Sequence, residues 1–342
     1  MVDKTFHDLH PHAVRPKWVQ RSAWIFGILI LVALILIVLR LGELKNFVRL
    51  AERARPQWLV MAGILQILTY VCVASAWRAT LTRTGHPVSL IRLIPIGLAK
   101  LFTDQAIPSA GMSGNILVAR CLSRRGVPAH LVMAALLVNI IGYYIAYLIM
   151  VLVTLSILRA YYQVHAVLLS AFTMLAVLAI GIPTLIVWLR RRSSRPLPRI
   201  LQRLHFSDFL MRIIREVPSG VLRDPVLIFK NTCLEAGVFL LDVVTLWVIL
   251  FSIGQDVSIL VPFICFIAAS VAATVSPFPV GLGTFEAVAV ATLGMLGVQV
   301  EVALTATLLL RGFTFWLPML PGLVFAQREI GGKRQMLVED GK

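Results

Sequence analysis

The sequence predicts an all-α polytopic membrane protein, with about six full transmembrane helices and two re-entrant helical hairpins arranged as an inverted repeat. Hydrophobic residues make up 59% of its 342 residues and charged residues only 14%, whereas soluble domains average about 25% charged residues. Two apolar regions are broken by proline and glycine, at 108–115 and 276–286. Such backbone is tolerated at membrane depth where protein buries it or a wet cavity adjoins it, so we expect each break to mark a functional site.

Apolar runs define the spans, because a bilayer-crossing helix needs about 20 such residues. Six runs approach or exceed this length, at 22–39, 57–77, 130–157, 166–189, 229–253 and 300–326. We treat the first as a span, since it begins too late and is too long for a cleavable signal. The chain then divides into a tail (1–21), a first membrane half (22–189), a basic loop (190–228), a second membrane half (229–327) and a second tail (328–342).

Two further regions, 88–119 and 257–298, are each split into two arms by their proline and glycine motif. A helical arm of about 15 residues covers roughly 22 Å, which is short of the ~30 Å hydrocarbon core. Neither arm of 88–119 can cross the bilayer alone, although the first arm of 257–298 is long enough that a full span stays open. We expect both regions to be re-entrant hairpins.

The distribution of arginine predicts the orientation of the spans. The 190–228 loop holds nine arginines against three acidic residues, and such loops stay in the cytoplasm. With both hairpins re-entrant, the two tails also fall on the cytoplasmic side and the hairpins enter from opposite faces. This inverted repeat is typical of alternating-access transporters. Two amphipathic stretches, 40–55 and 200–217, are expected to be either interfacial helices or plain connectors.

Charged residues at membrane depth are few and should face inward, because an unpaired charge there costs about 2.5 to 3.5 kcal/mol. Lys100 and Asp104 have i, i+4 spacing and are expected to pair, either as part of a binding site or merely to fix the hairpin. Glu286 follows the second glycine turn, where it either caps a helix or contributes to the site. Arg311 lies too deep for its side chain to reach the interface, so we expect it to bind Glu286, Asp242 or a lipid phosphate.

The glycines of the two motifs are candidate ligand contacts. Gly111, Gly114, Gly281 and Gly283 let the backbone approach a ligand closely, and free N–H groups at the start of a half-helix suit a phosphate. The same glycines equally suit close packing of a hairpin against a helix. The sequence leaves both roles open.

Four other polar residues lie within the predicted spans. Glu235 should have a partner or water. Asn139, Tyr143 and Tyr144 either line the same cavity or make interhelical hydrogen bonds and aromatic contacts, and the second role is favoured.

Several classes of function are excluded. The net charge of +16 arises largely from arginines between the spans, where they orient the protein and meet anionic lipid, so we expect no nucleic-acid partner. The chain has no HExxH, GxSxG, Walker or paired-acid metal motif. We therefore expect a protein that is not an enzyme, with no cofactor and no metal site.

Three motifs carry a resemblance to a known family. They are Pro108-Ser-Ala-Gly-Met-Ser-Gly followed by Arg120, Pro277-Phe-Pro-Val-Gly-Leu-Gly-Thr-Phe-Glu286-Ala, and Arg311 ahead of Leu317-Pro318. With these motifs the chain resembles the transmembrane flippase domain of lysylphosphatidylglycerol synthases, over nearly its whole length. The chain departs from the family at Asn115, where many relatives carry an acidic residue, and at Thr284-Phe285, where a basic residue is common.

The resemblance implies a stand-alone member, without an aminoacyl transferase domain, in a bacterial cytoplasmic (inner) membrane. Such a protein would move a phospholipid, aminoacyl-lipid, glycolipid or hopanoid-type lipid, with an anionic or zwitterionic headgroup, between leaflets. Arg120 and Asn115 would join the candidate headgroup contacts. The alternatives are a lipid-modifying transferase and a non-transporting partner of lipid-synthesis enzymes, and a homo-oligomer stays open.

Overall fold

The computed structural model describes residues 54–106, 112–161, 219–276 and 281–339, together with Gly181 and Thr184. The described residues form ten α-helices and one π-helical turn, with no β-strand. The predicted span 22–39, nearly all of the span 166–189 and most of the two amphipathic stretches lie outside them. The helices are α1 (Pro56–Arg83), α2 (Leu90–Ala106), α3 (Met112–Arg124), α4 (Ala129–Tyr161), α5 (Ser219–Arg223), α6 (Pro225–Ser252), α7 (Leu260–Val275), α8 (Thr284–Met295), α9 (Val300–Arg311) and α10 (Leu317–Glu339).

Four helical stretches are long and apolar enough to cross a membrane. They are Pro56–Arg83, Ala129–Ala160, Pro225–Ser252 and Val300–Arg328. The shortest has 28 residues, which is about 42 Å of helix and exceeds the ~30 Å hydrocarbon core. They correspond to four of the six predicted spans. The protein is therefore a multi-pass membrane protein.

Each broken region forms two short helices that pack against each other. In the first region α2 has 17 residues and α3 has 13. In the second, α7 has 16 and α8 has 12, and both pairs are in contact. The α3 helix continues to Arg124, past the predicted end at residue 119. The α7 helix covers about 24 Å, compared with the ~30 Å hydrocarbon core.

The central helix is α6, which packs against α1, α4, α7 and α9. Its start is fixed by Asp224, whose Oδ1 accepts the backbone N–H groups of Val226 and Leu227 at 3.1 and 3.2 Å. Arg83, at the end of α1, donates to Asp224 Oδ2 at 2.8 Å. This hydrogen bond is the main reason that the pKa of Asp224 is lowered. The C-terminal end of α1 is thereby held to the N-terminal end of α6.

The last predicted span, 300–326, differs from the expected uninterrupted helix. A π-helical turn at Gly312–Trp316 separates α9 from α10. Pro318 lies two residues after the end of this turn. Because proline has no N–H and its ring crowds the carbonyl one turn earlier, a local widening of the helix accommodates it. Arg311, the last residue of α9, therefore lies next to an irregular turn. The α10 helix continues to Glu339, within the segment expected to be a tail.

Candidate functional site

Arg311 and Glu286 form an ion pair between α9 and α8. Arg311 Nε donates to Glu286 Oε1 at 2.6 Å. The other carboxylate oxygen, Oε2, accepts the backbone N–H of Gly283 at 2.7 Å. Because Gly283 directly precedes α8, Glu286 binds the positive end of this helix as well as the guanidinium. The capping role expected for Glu286 is thus confirmed, and the same carboxylate binds Arg311.

The surroundings of Arg311 leave one of its donors unused. The side chains of Arg311 and Glu286 are only 12% and 9% exposed. The guanidinium carbon lies 4.3 Å from the centre of the Phe285 ring and 5.4 Å from that of Phe315, which is cation–π geometry. Arg311 Nη2 is buried and has no hydrogen-bond partner among the described residues. An unsatisfied buried donor costs about 1 to 3 kcal/mol, so an anionic group that accepts from Nη2 would be stabilised here.

Lys100 and Asp104 form a similar arrangement in the first broken region. Lys100 Nζ donates to Asp104 Oδ2 at 2.7 Å, which confirms the pair expected from their spacing. Asp104 Oδ1 accepts the backbone N–H of Gly114 at 2.7 Å and the hydroxyl of Ser113 at 3.3 Å. Asp104 therefore joins α2 to the first turn of α3. In both broken regions, one carboxylate binds a cation and the start of the second helix.

The glycine N–H groups of Gly114 and Gly283 are therefore already bound by protein carboxylates. A lipid phosphate would have to share or replace these carboxylates to bind the same two N–H groups, because a carboxylate is the same kind of acceptor. Gly281 contributes close packing, since a Cβ there would lie 2.4 Å from the Cβ of Ala273 on α7. Gly111 lies outside the described residues.

Asp242 binds a partner that the sequence did not suggest. Gln66 on α1 donates through Nε2 to Asp242 Oδ1 at 2.9 Å. Two turns earlier on α6, Glu235 accepts through Oε1 from the side-chain amide of Asn139 on α4. These contacts join α6 to α1 and α4. Gln66 is a polar residue in an apolar span, and that was the one signal by which it could have been found.

Aromatic side chains fill the space between the two carboxylates of α6. The Phe239 ring stacks on Tyr147 with centres 5.2 Å apart and lies 5.5 Å from Tyr143. Tyr144 meets Tyr143 edge to face at 5.3 Å. The packing role expected for Tyr143 and Tyr144 is thus confirmed, as is the interhelical hydrogen bond of Asn139.

Asn115 and Arg120 lie on α3 and are not brought to Arg311. Asn115 is half-buried and Arg120 is exposed. Neither side chain has a hydrogen bond to Arg311 or Glu286 within the described part of the chain. No group of three or more histidine, cysteine or acidic side chains in the described ranges is arranged to hold a metal ion.

Comparison with known proteins gives the family. Residues 24–322 match the model of the lysylphosphatidylglycerol synthase TM region. A UPF0104 membrane protein of Pyrococcus horikoshii is 23% identical over 89% of this chain and 97% of its own length. A UPF0104 membrane protein of Methanocaldococcus jannaschii is 20% identical, with coverages of 88% and 94%. That of Methanothermobacter thermautotrophicus is 22% identical, with coverages of 86% and 90%. The matched residues include both broken regions, the Arg311–Glu286 pair, three of the four long stretches and most of the fourth, so this chain belongs to the family of the lysylphosphatidylglycerol synthase TM region.

Proposed function

We propose that this protein moves a polar lipid from one leaflet of the membrane to the other and binds the headgroup phosphate at Arg311. The acyl chains stay in the bilayer while the headgroup passes through the protein. The family supports a role connected with membrane lipids. The alternative of lipid-modifying chemistry lacks such support, because the sequence has no catalytic motif and its described part has no metal cluster.

The single observation that carries the proposal is the unused donor of Arg311. An arginine far from either end of a spanning stretch must find an anion. Glu286 accepts from Nε alone, and Nη2 stays buried without a partner among the described residues. A phosphate oxygen is a strong acceptor for a guanidinium and can share it with a carboxylate. The headgroup would therefore bind beside the carboxylate, with Glu286 and Phe285 holding the guanidinium in position.

The transport mechanism uses the two broken regions as re-entrant hairpins that enter from opposite faces. Their arms are too short to cross, they pack in pairs, and each has a carboxylate that binds the start of its second helix. Discontinuous helices of this kind meet near the midplane in inverted-repeat transporters. Alternating exposure of Arg311 to the two faces would then carry the headgroup across.

Cysteine labelling tests this topology. In a variant without the four native cysteines, a cysteine at Arg125 is expected to react with an impermeant reagent from one face of the membrane only. Cysteines at Gln255 and Gln299 are expected to react only from the opposite face, because both ends of a re-entrant hairpin emerge on the same side. Labelling of Gln255 and Gln299 from different faces would exclude the second hairpin.

Leaflet-resolved transport tests the function. Purified wild-type protein in liposomes is expected to move a fluorescent phospholipid between leaflets, measured with an impermeant quencher. Arg311→Gln is expected to reduce the rate to that of protein-free liposomes, since it removes the phosphate donor. Arg328→Gln is the matched control, because Arg328 is exposed on α10, and it is expected to retain the wild-type rate.

Two other results would contradict the proposal. Folded Arg311→Gln protein that transports at the wild-type rate would remove Arg311 from the site. Wild-type protein that moves no lipid would exclude a flippase, and mass analysis of the lipids would then distinguish a transferase from a non-transporting partner of lipid-synthesis enzymes.

A further inference from the structure

Glu235 and Asp242 differ in the charge of their partners from the other carboxylates that bind a described side chain. Asp104, Glu286 and Asp224 are each bound to a lysine or arginine. Glu235 and Asp242 instead accept from the neutral amides of Asn139 and Gln66. Neither has a lysine, arginine or histidine within ion-pair distance among the described residues. Both lie inside a membrane-spanning helix. A negative charge on either residue would therefore have no described cation in direct contact with it.

The two carboxyl groups lie on one face of α6, seven residues apart, which is about 10.5 Å along the helix. One oxygen of each accepts an amide N–H. No hydrogen bond to a described residue is made by the second oxygen, Oε2 of Glu235 or Oδ2 of Asp242. Glu235 is buried and Asp242 is half-buried. Each group therefore has one oxygen that is free to carry a proton.

We propose that Glu235 and Asp242 bind protons and couple proton movement across the membrane to lipid movement. This inference rests on the function proposed above. A neutral carboxylic acid is tolerated at membrane depth, whereas an unpaired carboxylate costs about 2.5 to 3.5 kcal/mol. Each group takes a proton from water when it opens to one face and returns it to water when it opens to the other. The O–H bond formed on entry is the bond broken on exit.

The hydrogen-bond donors favour a proton over a metal cation. Gln66 Nε2 also donates to Thr245 Oγ1 at 3.1 Å, and the Thr245 hydroxyl donates to the carbonyl of Leu241 at 2.7 Å. This chain of bonds fixes the Gln66 amide with its nitrogen toward Asp242. A sodium or calcium ion would need oxygen ligands at this position, and an N–H group facing the carboxylate repels it.

Few other titratable groups face the two carboxyl groups. On α1, Cys72 interacts electrostatically with Glu235 and Tyr70 with Asp242. Tyr143 on α4 interacts with both. Lys100 on α2 acts on Glu235, but its ammonium is bound to Asp104 at 2.7 Å. Among the described residues, α7 and α9 present no titratable group to either carboxyl group.

Tyr143 is the aromatic residue that interacts with both carboxyl groups. Its ring packs on Phe239 and Tyr147, and 36% of the residue is exposed. Its hydroxyl can donate and accept hydrogen bonds beside the two carboxyl groups.

The first experiment measures lipid accumulation in liposomes with an imposed pH difference. Each coupled proton permits up to about a tenfold ratio of lipid between leaflets for one pH unit. With a difference of one pH unit and one coupled proton, wild-type protein is expected to approach this tenfold ratio. Glu235→Gln and Asp242→Asn are each expected to bring that ratio close to one. Asp256→Asn is the matched control, because Asp256 is exposed beyond the end of α6, and it is expected to behave as wild type.

A second experiment measures proton binding without any transport. The purified protein is titrated in weak buffer between about pH 5 and pH 9, and the protons bound are compared with those of the Glu235→Gln/Asp242→Asn variant. The wild-type protein is expected to bind one or two more protons per chain. Identical titration curves would overturn the proton site.

The outcomes separate this inference from the proposed function. Wild-type protein that exchanges lipid but ignores the pH difference would overturn proton coupling and leave the flippase. Accumulation driven by a sodium gradient at equal pH would overturn it in favour of sodium. Wild-type protein that moves no lipid under any gradient would overturn both, whatever its proton binding.

Discussion

Glu286→Gln is expected to destabilise the folded protein by about 3 to 5 kcal/mol, because it leaves a buried guanidinium without its anion. Arg311 is 12% exposed and ion-paired to Glu286 alone among the described residues. Arginine cannot release its proton to escape the low-dielectric site. The neutral amide also binds the start of α8 less strongly than the carboxylate that now accepts from Gly283. The loss is measured as the free energy of unfolding in detergent.

The reverse substitution is expected to be milder. Arg311→Gln leaves a carboxylate that still accepts the backbone N–H of Gly283 at the start of α8. The Arg311→Gln variant should therefore remain folded, which makes it suitable for the transport assay. The double variant Glu286→Gln/Arg311→Gln should regain most of the stability lost in Glu286→Gln. Glu301→Gln, at the start of α9, is the matched control and should change stability by less than about 1 kcal/mol. A Glu286→Gln variant as stable as this control would contradict the buried-pair assignment.

Gly281→Ala is expected to destabilise the protein by about 2 to 4 kcal/mol, from over-packing together with a left-handed backbone conformation. Gly281 has φ of 64°, and an added Cβ would lie 2.4 Å from Ala273 Cβ and 2.7 Å from Ala273 Cα. The turn between α7 and α8 would have to move. Thermal unfolding of the purified variant measures the effect.

Two further variants isolate the cause. Gly294→Ala is the matched control, since an added Cβ there meets nothing within 4 Å, and it should be neutral or slightly stabilising in a helix. In an Ala273→Gly background the cost of Gly281→Ala should fall by about 0.5 to 2 kcal/mol, because one clashing methyl is gone. Transport per folded molecule should be unchanged in Gly281→Ala. A stable variant with defective transport would instead return Gly281 to the binding site.

Much of the fold was predictable because its signals are local. Hydrophobic runs define helix length, and length alone separates the four spanning stretches from the short helices of the broken regions. The π-helical turn was missed, because a proline in an apolar run announces a distortion but not its form. The pair of Lys100 and Asp104 was predictable from i, i+4 spacing, since both lie on one helix.

The sequence by itself determined the protein class, the broken segments and the small set of charges at membrane depth. It left Arg311 with three candidate partners, and the tertiary structure decided for Glu286, 25 residues away. Tertiary structure also decided that Asp242 meets Gln66, which is 176 residues away, and that Glu235 meets Asn139, which is 96 residues away. The physical reason is that apolar pattern fixes where a helix lies in the membrane but only weakly fixes its rotation, because lipid and neighbouring helices are both apolar. The partner of each polar group therefore depends on which helices pack together, and packing is a property of the whole molecule.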